Sequence, residues 1–198
     1  MEIKNVIFDL GKVLIDFNFS SFWESIGAEK CERFLDEAQE PILLFEAGKI
    51  SKQQFLNEIQ TTYNFDMNMQ DFEKIWCDVF SEKSQMIEMA KKINKKYEIF
   101  IFSNTDEIHF PYIWKKFPSI HFFKENLMLS YEIGSVKPDL DSYERALNKF
   151  DLKFEECLFI DDRPINIQVA ESLGMKGILH KEYEDTKERI SEILDMTL

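Results

Sequence analysis

The chain has 198 residues, 44% of them hydrophobic and 31% charged, with a formal net charge of −13 and a sequence pI near 4.7. This length allows one sizeable hydrophobic core, alone or with a smaller inserted domain. The strongly acidic balance argues against nucleic acid or an anionic membrane as a partner, because binding to a phosphate backbone needs clustered lysine and arginine.

Short apolar runs that end in small or polar residues predict strands. In chain order they are residues 6–9, 98–103, 127–130, 157–161 and 177–179. Segments with helical periodicity alternate with the later strands, at residues 83–96, 140–150, 164–173 and 183–194. Because strands and helices alternate over residues 86–198, we expect βαβ units and an α/β fold with a parallel sheet covered by helices on both faces.

Residues 17–82 interrupt this alternation. The stretch contains no strand candidate but has several helical patterns, including residues 51–63, where Ser51 and Gln54 have the spacing of a capping box. We therefore predict a helical insertion directly after the first strand. The first strand must then pair with strands that come much later in the sequence.

The cysteines and the N-terminal residues favour a cytoplasmic protein. Cys31, Cys77 and Cys157 are widely spaced and form no CxxC pair, so neither a zinc knuckle nor a disulfide framework is supported. Such thiols are typical of a reducing compartment. The chain does not start with a basic region followed by an apolar run, and no apolar segment approaches the length of a membrane span. We expect no membrane partner, and the sequence predicts no particular oligomeric state.

Polar residues occur where the predicted strands end. In an open parallel sheet a ligand binds outside the carboxyl ends of the strands. The residues found there are Asp9, Ser103, Asn104, Thr105, Asp161 and Asp162, with Lys137 in a loop before a helix. Each alone is ordinary turn or helix-cap chemistry. Together they bring three carboxylates close to one another, where each raises the pKa of the next unless a cation neutralises them. A hard divalent ion such as Mg²⁺ is the simplest solution.

Four motifs give the chain a resemblance to a known family. They are FDLGKVL at residues 8–14, FSNT at 102–105, VKPD at 136–139 and FIDDRPIN at 159–166. With these motifs the chain is similar to the haloacid dehalogenase superfamily of phosphatases and related enzymes. The resemblance implies a Rossmann-like, three-layer α/β core formed by residues 1–16 and 83–198, with a helical cap at residues 17–82. FEAGKIS at 45–51 and SNTDEIH at 103–109 are most similar to the branch that includes glucose 1-phosphate phosphatases.

The resemblance implies a phosphoric monoester hydrolase whose partner is a small phosphorylated metabolite, such as a sugar phosphate. Asp9 would be the nucleophile and would take the phosphoryl group as an aspartyl phosphate, which divides one difficult hydrolysis into two easier steps. Ser103 and the neighbouring backbone N–H groups, with Asn104, would bind the phosphoryl oxygens. Lys137 would neutralise charge on Asp9 and on the transferring group.

The same resemblance implies a magnesium site. Its ligands would be the Asp9 carboxylate, the Gly11 carbonyl and Asp162, while Asp161 would hold either a metal-bound water or Lys137. Gly11 departs from the family's usual pattern, because most of its phosphatases have a second aspartate there that protonates the leaving oxygen and then activates water. Glycine can do neither, and loss of a general acid typically costs about 10²–10⁴-fold in rate.

Gly11 leaves three interpretations open. The first is a phosphatase whose leaving group needs less protonation, such as an anomeric sugar hydroxyl, or whose proton comes from water or another side chain. His109 is a candidate for that side chain, although an exposed helix residue is its simpler explanation. The second is a dehalogenase, against which the adjacent acids Asp161 and Asp162 argue. The third is a phosphate-binding or regulatory protein without turnover.

The residues where the insertion joins the core are candidates for contact with the leaving group. They are Asp16, Phe17, Asn18, Phe19, Phe45, Glu46 and Lys49. The aromatic residues among them have an alternative explanation as core of the insertion. Lys12 either adds a cation for the substrate or pairs with a surface acid, and we favour the surface pair.

Overall fold

The computed structural model describes residues 2–27, 34, 38–63 and 67–198. The strands with described bounds are β1 (Asn5–Phe8), β2 (Ile15–Phe17), β3 (Phe80–Glu82), β4 (Glu98–Ser103), β5 (Leu127–Leu129), β6 (Cys157–Asp161) and β7 (Lys176–Leu179). The helices with described bounds are α1 (Ser20–Ile26), α2 (Gln39–Glu46), α3 (Lys52–Tyr63), α4 (Met69–Cys77), α5 (Ser84–Ile93), α6 (His109–Lys116), α7 (Ser130–Ile133), α8 (Leu140–Asn148), α9 (Pro164–Ser172) and α10 (Tyr183–Leu194).

The central sheet has five parallel strands in the order β5-β4-β1-β6-β7. Strand β1 lies between β4 and β6, so the predicted pairing of the first strand with much later strands is confirmed. All five predicted strands are present, and their ends differ from the predicted ends by at most one residue.

Apolar side chains cover both faces of this sheet. Successive side chains of a strand point to opposite faces, and in β1 Val6 and Phe8 belong to one hydrophobic cluster while Ile7 belongs to another. Helices α5, α6 and α10 contribute to the first cluster, and α8 and α9 contribute to the second. Since a sheet that is apolar on both faces must be covered on both, the three-layer α/β prediction is confirmed.

The helices from α1 to α4 form a helical segment (described residues between β2 and β3) with its own hydrophobic cluster. Phenylalanines dominate this cluster, among them Phe22, Phe55 and Phe72. The predicted capping box at the start of α3 is confirmed, because the backbone N–H of Ser51 donates to Gln54 Oε1 over 2.8 Å and that of Gln54 donates to Ser51 Oγ over 3.3 Å. The residue bounds of a core and a cap domain stay a prediction.

The expectation that residues 17–82 contain no strand is wrong at both ends of the stretch. Phe17 belongs to β2 and residues 80–82 form β3, and the two short strands pair antiparallel with Phe17 opposite Phe80. The partner of each strand lies more than 60 residues away, and three residues are too few to show an alternating pattern. The pair ties together the two chain connections of the helical segment.

The described cysteines are buried and free. Cys77 lies in the helical segment and Cys157 in the second cluster of the sheet, while Cys31 lies outside the described residues. Burial raises the pKa of each described thiol to about 12, which keeps it protonated at neutral pH. None of the described helices combines the length and the apolar character that a membrane crossing would require.

Candidate active site

Two strand ends bring the three predicted acidic residues together at one edge of the sheet. Asp9 follows β1, Asp161 is the last residue of β6, and Asp162 comes directly after it. Each of these aspartates offers one ligand atom such that all of these atoms lie within 4.8 Å of one another. Because β1 and β6 are parallel neighbours, their carboxyl ends deliver these side chains to the same place.

Lys137 lies at the centre of this group. Its Nζ is 2.9 Å from Asp9 Oδ1 and 2.7 Å from Asp161 Oδ2, and it donates to the Phe102 carbonyl over 2.8 Å. The residue is only 3% exposed. Burial alone would lower its pKa, but the charges and hydrogen bonds of Asp9 and Asp161 outweigh burial and raise the Lys137 pKa. The two carboxylates and the Phe102 carbonyl give each of the three ammonium hydrogens an acceptor. Because its pKa is raised, the lysine stays charged at neutral pH.

Asp161 holds Lys137 in place. Its Oδ1 accepts from the Arg163 backbone N–H over 2.8 Å and from Asn166 Nδ2 over 2.9 Å, while Oδ2 accepts from Lys137 and from Asn166 Nδ2. Of the two predicted tasks for Asp161, the structure shows the one with Lys137. Because both oxygens are already occupied, direct coordination of a metal by Asp161 is not favoured.

The remaining acceptors fit a hard divalent cation. Burial raises the pKa of Asp9 to about 7, with the charge of Lys137 opposing the rise and that of Asp161 adding to it. Burial also raises the pKa of Asp162, and the charge of Asp161 adds to that rise. Within the described part of the chain, Asp9 Oδ2 and the Gly11 carbonyl accept no hydrogen bond. These two oxygens and the Asp162 carboxylate are the kind of oxygen ligand that Mg²⁺ prefers. A cation bound there would relieve the crowded negative charge.

The loop after β4 has a different arrangement from the one predicted for Asn104. The Asn104 carboxamide donates to the Lys137 carbonyl and accepts from the Lys137 backbone N–H, each over 2.8 Å. The side chain therefore clamps two loops together, and phosphate binding by Asn104 stays a prediction for its backbone N–H group. Ser103 is 3% exposed and lies at the end of β4, with its Oγ donating to the Asn104 carbonyl over 3.2 Å. Its hydroxyl stays the candidate for contact with a phosphoryl oxygen.

A cavity of about 410 Å³ lies beside this group of residues. Gly11 and Ser103 line it on the side of the sheet. Much of the remaining wall is aromatic or aliphatic and comes from the helical segment and its two connections: Phe17, Phe19, Trp23, Ile42, Trp76 and Phe80. The titratable side chains in the wall are Glu46, Asp106 and His109. The predicted substrate contacts of Phe17, Phe19 and Glu46 thus have a cavity available.

His109 is buried, so its explanation as an exposed helix residue is wrong. Its Nδ1 lies 2.8 Å from Asp106 Oδ2, its Nε2 lies 3.2 Å from the Trp76 carbonyl, and its ring stacks on Trp76 with centroids 5.1 Å apart. Burial alone would lower the His109 pKa, but the charge and hydrogen bond of Asp106 outweigh burial and raise it. Asp106 was missed by sequence reasoning, although an acid three residues before a histidine in SNTDEIH was a usable signal.

Lys12 pairs with a surface acid, which confirms the favoured explanation. Its Nζ lies 2.6 Å from Asp16 Oδ1, both side chains are roughly half exposed, and the ammonium also donates to the Phe17 carbonyl over 2.7 Å. Asn18 accepts from the backbone N–H of Ser20 at the start of α1 over 2.9 Å. Asp16 and Asn18 therefore have local partners where the chain enters the helical segment.

Comparison with known proteins adds a family and several relatives. The family model for haloacid dehalogenase-like hydrolases matches residues 3–174. A D-ribitol-5-phosphate phosphatase from Bacteroides thetaiotaomicron is 23% identical over 206 residues, covering 98% of this chain and 99% of the relative.

Solved structures have the same architecture. A haloacid dehalogenase family enzyme from Bacteroides thetaiotaomicron, in complex with magnesium and inorganic phosphate, superposes with a TM-score of 0.82 at 26% identity, covering 90% of this chain and 94% of that one. A haloacid dehalogenase-like hydrolase from Porphyromonas gingivalis superposes with a TM-score of 0.83 at 26% identity over the full length of both chains.

Proposed function

Since this chain belongs to the haloacid dehalogenase-like hydrolases, we propose that it is a magnesium-dependent phosphatase of a small, hydroxylated phosphate monoester, with Asp9 as the nucleophile. The observation that carries the proposal is the group formed by Asp9, Lys137, Asp161 and Asp162 at the carboxyl edge of the sheet. A buried lysine against three acids leaves excess negative charge, which suits a bound cation and not a neutral ligand.

The chain's own residues divide the work in the proposed reaction. Asp9 attacks phosphorus through a carboxylate oxygen, the bond from phosphorus to the leaving oxygen breaks, and an aspartyl phosphate forms. Lys137 offsets charge on Asp9 and on the phosphoryl oxygens as they approach each other, and Ser103 donates to one of those oxygens. Magnesium bound at Asp9, Gly11 and Asp162 would supply further charge compensation. Water then attacks phosphorus, and the Asp9 carboxylate is released.

The cavity supports a leaving group that has both an apolar face and hydroxyl groups. Its aromatic wall can pack against carbon atoms. Glu46 also lines the cavity, and its carboxyl group can form hydrogen bonds with hydroxyl groups. A polyol phosphate or a sugar phosphate has both features. The ribitol-5-phosphate phosphatase among the relatives supports the polyol class, and glucose 1-phosphate stays a prediction.

A phosphate-release screen tests the proposed function. Polyol phosphates, sugar phosphates and p-nitrophenyl phosphate are incubated with the protein in the presence of Mg²⁺ and in the presence of EDTA. We expect hydrolysis that requires Mg²⁺ and is fastest for a polyol or sugar phosphate. If no compound releases phosphate, the alternative of a phosphate-binding protein without turnover is favoured. Chloride release from 2-chloropropionate would instead show a dehalogenase.

Replacing Gly11 by aspartate is expected to preserve or raise turnover of alkyl phosphates, because it places an acid two residues after the nucleophile. A Cβ at Gly11 would lie 3.2 Å from the edge of the Phe17 ring, so the ring must shift by a few tenths of an ångström. Gly11→Ala makes the same steric change without the acid. The ratio of kcat for Gly11→Asp to kcat for Gly11→Ala on D-ribitol 5-phosphate measures the effect of the added carboxyl group, and a ratio below one would contradict the prediction.

A further inference from the structure

The glycine at position 11 raises the question of which group protonates the leaving oxygen. That group must face the cavity where the leaving group lies, and it must hold a proton that it can give up. Three side chains in the wall of the cavity can titrate near neutral pH or below: Glu46, Asp106 and His109.

Asp106 and His109 are committed to each other. Asp106 Oδ1 accepts from the backbone N–H groups of Ile108 and His109, each over 2.8 Å, and its Oδ2 faces His109 Nδ1. The other ring nitrogen of His109 faces the Trp76 carbonyl. Because a carboxylate and a carbonyl can only accept, both ring nitrogens of His109 act as donors within the protein. Neither residue has a proton to offer to the cavity.

Glu46 has no hydrogen bond or ion pair to any described residue. It is the last residue of α2, it is partly buried, and it lines the cavity together with Gly11 and Ser103. Burial raises its pKa to about 7, the negative charges of Asp106 and Asp9 add to the rise, and the positive charges of His109 and Arg163 oppose it. The C-terminal end of a helix, where Glu46 lies, also disfavours a negative charge. The carboxyl group can therefore both hold and release a proton near neutral pH, and none of the described residues accepts a hydrogen bond from it.

The chain after Glu46 fixes the position of this carboxyl group against the core. Gly48 has φ +62°, and a Cβ there would come within 2.2 Å of the Tyr131 carbonyl oxygen in α7. Only glycine allows so close an approach in that conformation. On the other side of Glu46, Phe45 stacks on Phe55 of α3 with centroids 4.5 Å apart. The FEAGKIS motif thus anchors Glu46 between α3 of the helical segment and α7.

We propose that Glu46 is the general acid and base of the reaction, in place of the aspartate that Gly11 lacks; this rests on the proposed phosphatase function. As Asp9 attacks phosphorus, the electron pair of the breaking bond passes to the leaving oxygen, which takes the proton of Glu46 and departs as an alcohol. The Glu46 carboxylate then takes a proton from the water that attacks the aspartyl phosphate. That step releases inorganic phosphate and restores both carboxyl groups to their starting states.

Leaving groups of different basicity test this assignment. Glu46→Gln is expected to slow release of the alcohol from D-ribitol 5-phosphate in a single turnover by about 10²–10⁴-fold. The single-turnover rate on phenyl phosphate should fall by a smaller factor. With p-nitrophenyl phosphate the variant should release the first equivalent of nitrophenolate at nearly the wild-type rate, because nitrophenolate leaves unprotonated. Later turnovers of p-nitrophenyl phosphate should slow, since no base activates the water. A structural role for Glu46 would slow all three substrates alike.

Three further variants make the test decisive. Adding Gly11→Asp to Glu46→Gln should restore single-turnover cleavage of D-ribitol 5-phosphate, because it supplies an acid at a second position. Glu40→Gln removes an exposed acid from the same helix and should leave the single-turnover rates on all three esters unchanged. Should Glu46→Gln fail to fold, Glu46→Asp replaces it in the test, because it keeps the acid on a side chain one methylene shorter. Its single-turnover rates should fall most for D-ribitol 5-phosphate and least for p-nitrophenyl phosphate, by smaller factors than in Glu46→Gln.

The outcomes separate the two proposals. Wild-type protein that hydrolyses none of the three esters with Mg²⁺ overturns the proposed function. Wild-type hydrolysis combined with equal losses on all three esters in Glu46→Gln overturns only the role of Glu46. A raised KM with an unchanged single-turnover rate would also overturn that role, since it would show a residue that only binds the substrate.

Discussion

Replacing Asp9 by asparagine is expected to lower phosphatase turnover by about 10⁴–10⁶-fold, because the amide cannot attack phosphorus. The fold should survive. The asparagine side chain has nearly the same shape as the aspartate, and burial already disfavours a charge here, as the Asp9 pKa of about 7 indicates. Phosphate release from p-nitrophenyl phosphate with Mg²⁺ measures the first effect, and thermal unfolding followed by circular dichroism measures the second.

A matched control for this variant is Asp151→Asn. Asp151 is exposed and has φ +52°, a conformation that asparagine tolerates well, so neither turnover nor stability should change. Incubating wild-type protein with substrate and quenching in acid should also leave a phosphoryl adduct on the peptide that contains Asp9. Full activity in Asp9→Asn would rule out the proposed nucleophile.

Replacing Lys137 by methionine is expected to affect both stability and turnover. Methionine fills the space of the side chain, but Asp9 and Asp161 each lose a charged partner at 2.9 and 2.7 Å. Breaking a buried ion pair on one side typically costs about 3–5 kcal/mol, since it leaves an uncompensated buried charge. Turnover should fall by about 10²–10³-fold, as expected for removal of one preorganised electrostatic group. Urea unfolding without Mg²⁺ measures the stability, and phosphate release with Mg²⁺ measures the turnover.

Lys95→Met is the control for this second variant, because Lys95 is exposed and should tolerate the same replacement. Unchanged unfolding in Lys137→Met would show that the lysine and its two acids do not hold the strand ends together. Unchanged turnover would remove Lys137 from the reaction.

The strand ends were predictable because the signal for them is local. Four-to-six-residue apolar runs around Ile7, Phe100 and Phe159 are long enough to identify buried parallel strands. Parallel strands place their carboxyl ends at one edge, so a polar residue directly after each run has a predictable neighbourhood. Asp9, Ser103, Asp161 and Asp162 follow this logic, and their positions did not require coordinates.

The side chains that face one another from distant helices were not predictable in this way. His109 looked like an exposed helix residue, because nothing in its own segment shows that Trp76 covers it. The carboxamide of Asn104 looked free, because its two partners lie on the backbone of Lys137, 33 residues away. In each case the deciding contact joins segments whose spacing in sequence says nothing about their orientation in space.

The sequence by itself determined the α/β class, the aspartates that follow the predicted strands and the absence of an acid at Gly11. The α/β class follows from the alternation of strands and helices along residues 86–198, the acidic strand ends follow from residue type, and the absent acid at Gly11 follows from the resemblance to the family. Only the tertiary structure decided that Asp161 holds Lys137, that Asp106 and His109 satisfy each other, and that Glu46 lines the cavity without a partner among the described residues. The physical reason is that burial and pairing of a charged group depend on which surfaces meet, and packing of the whole chain sets those surfaces.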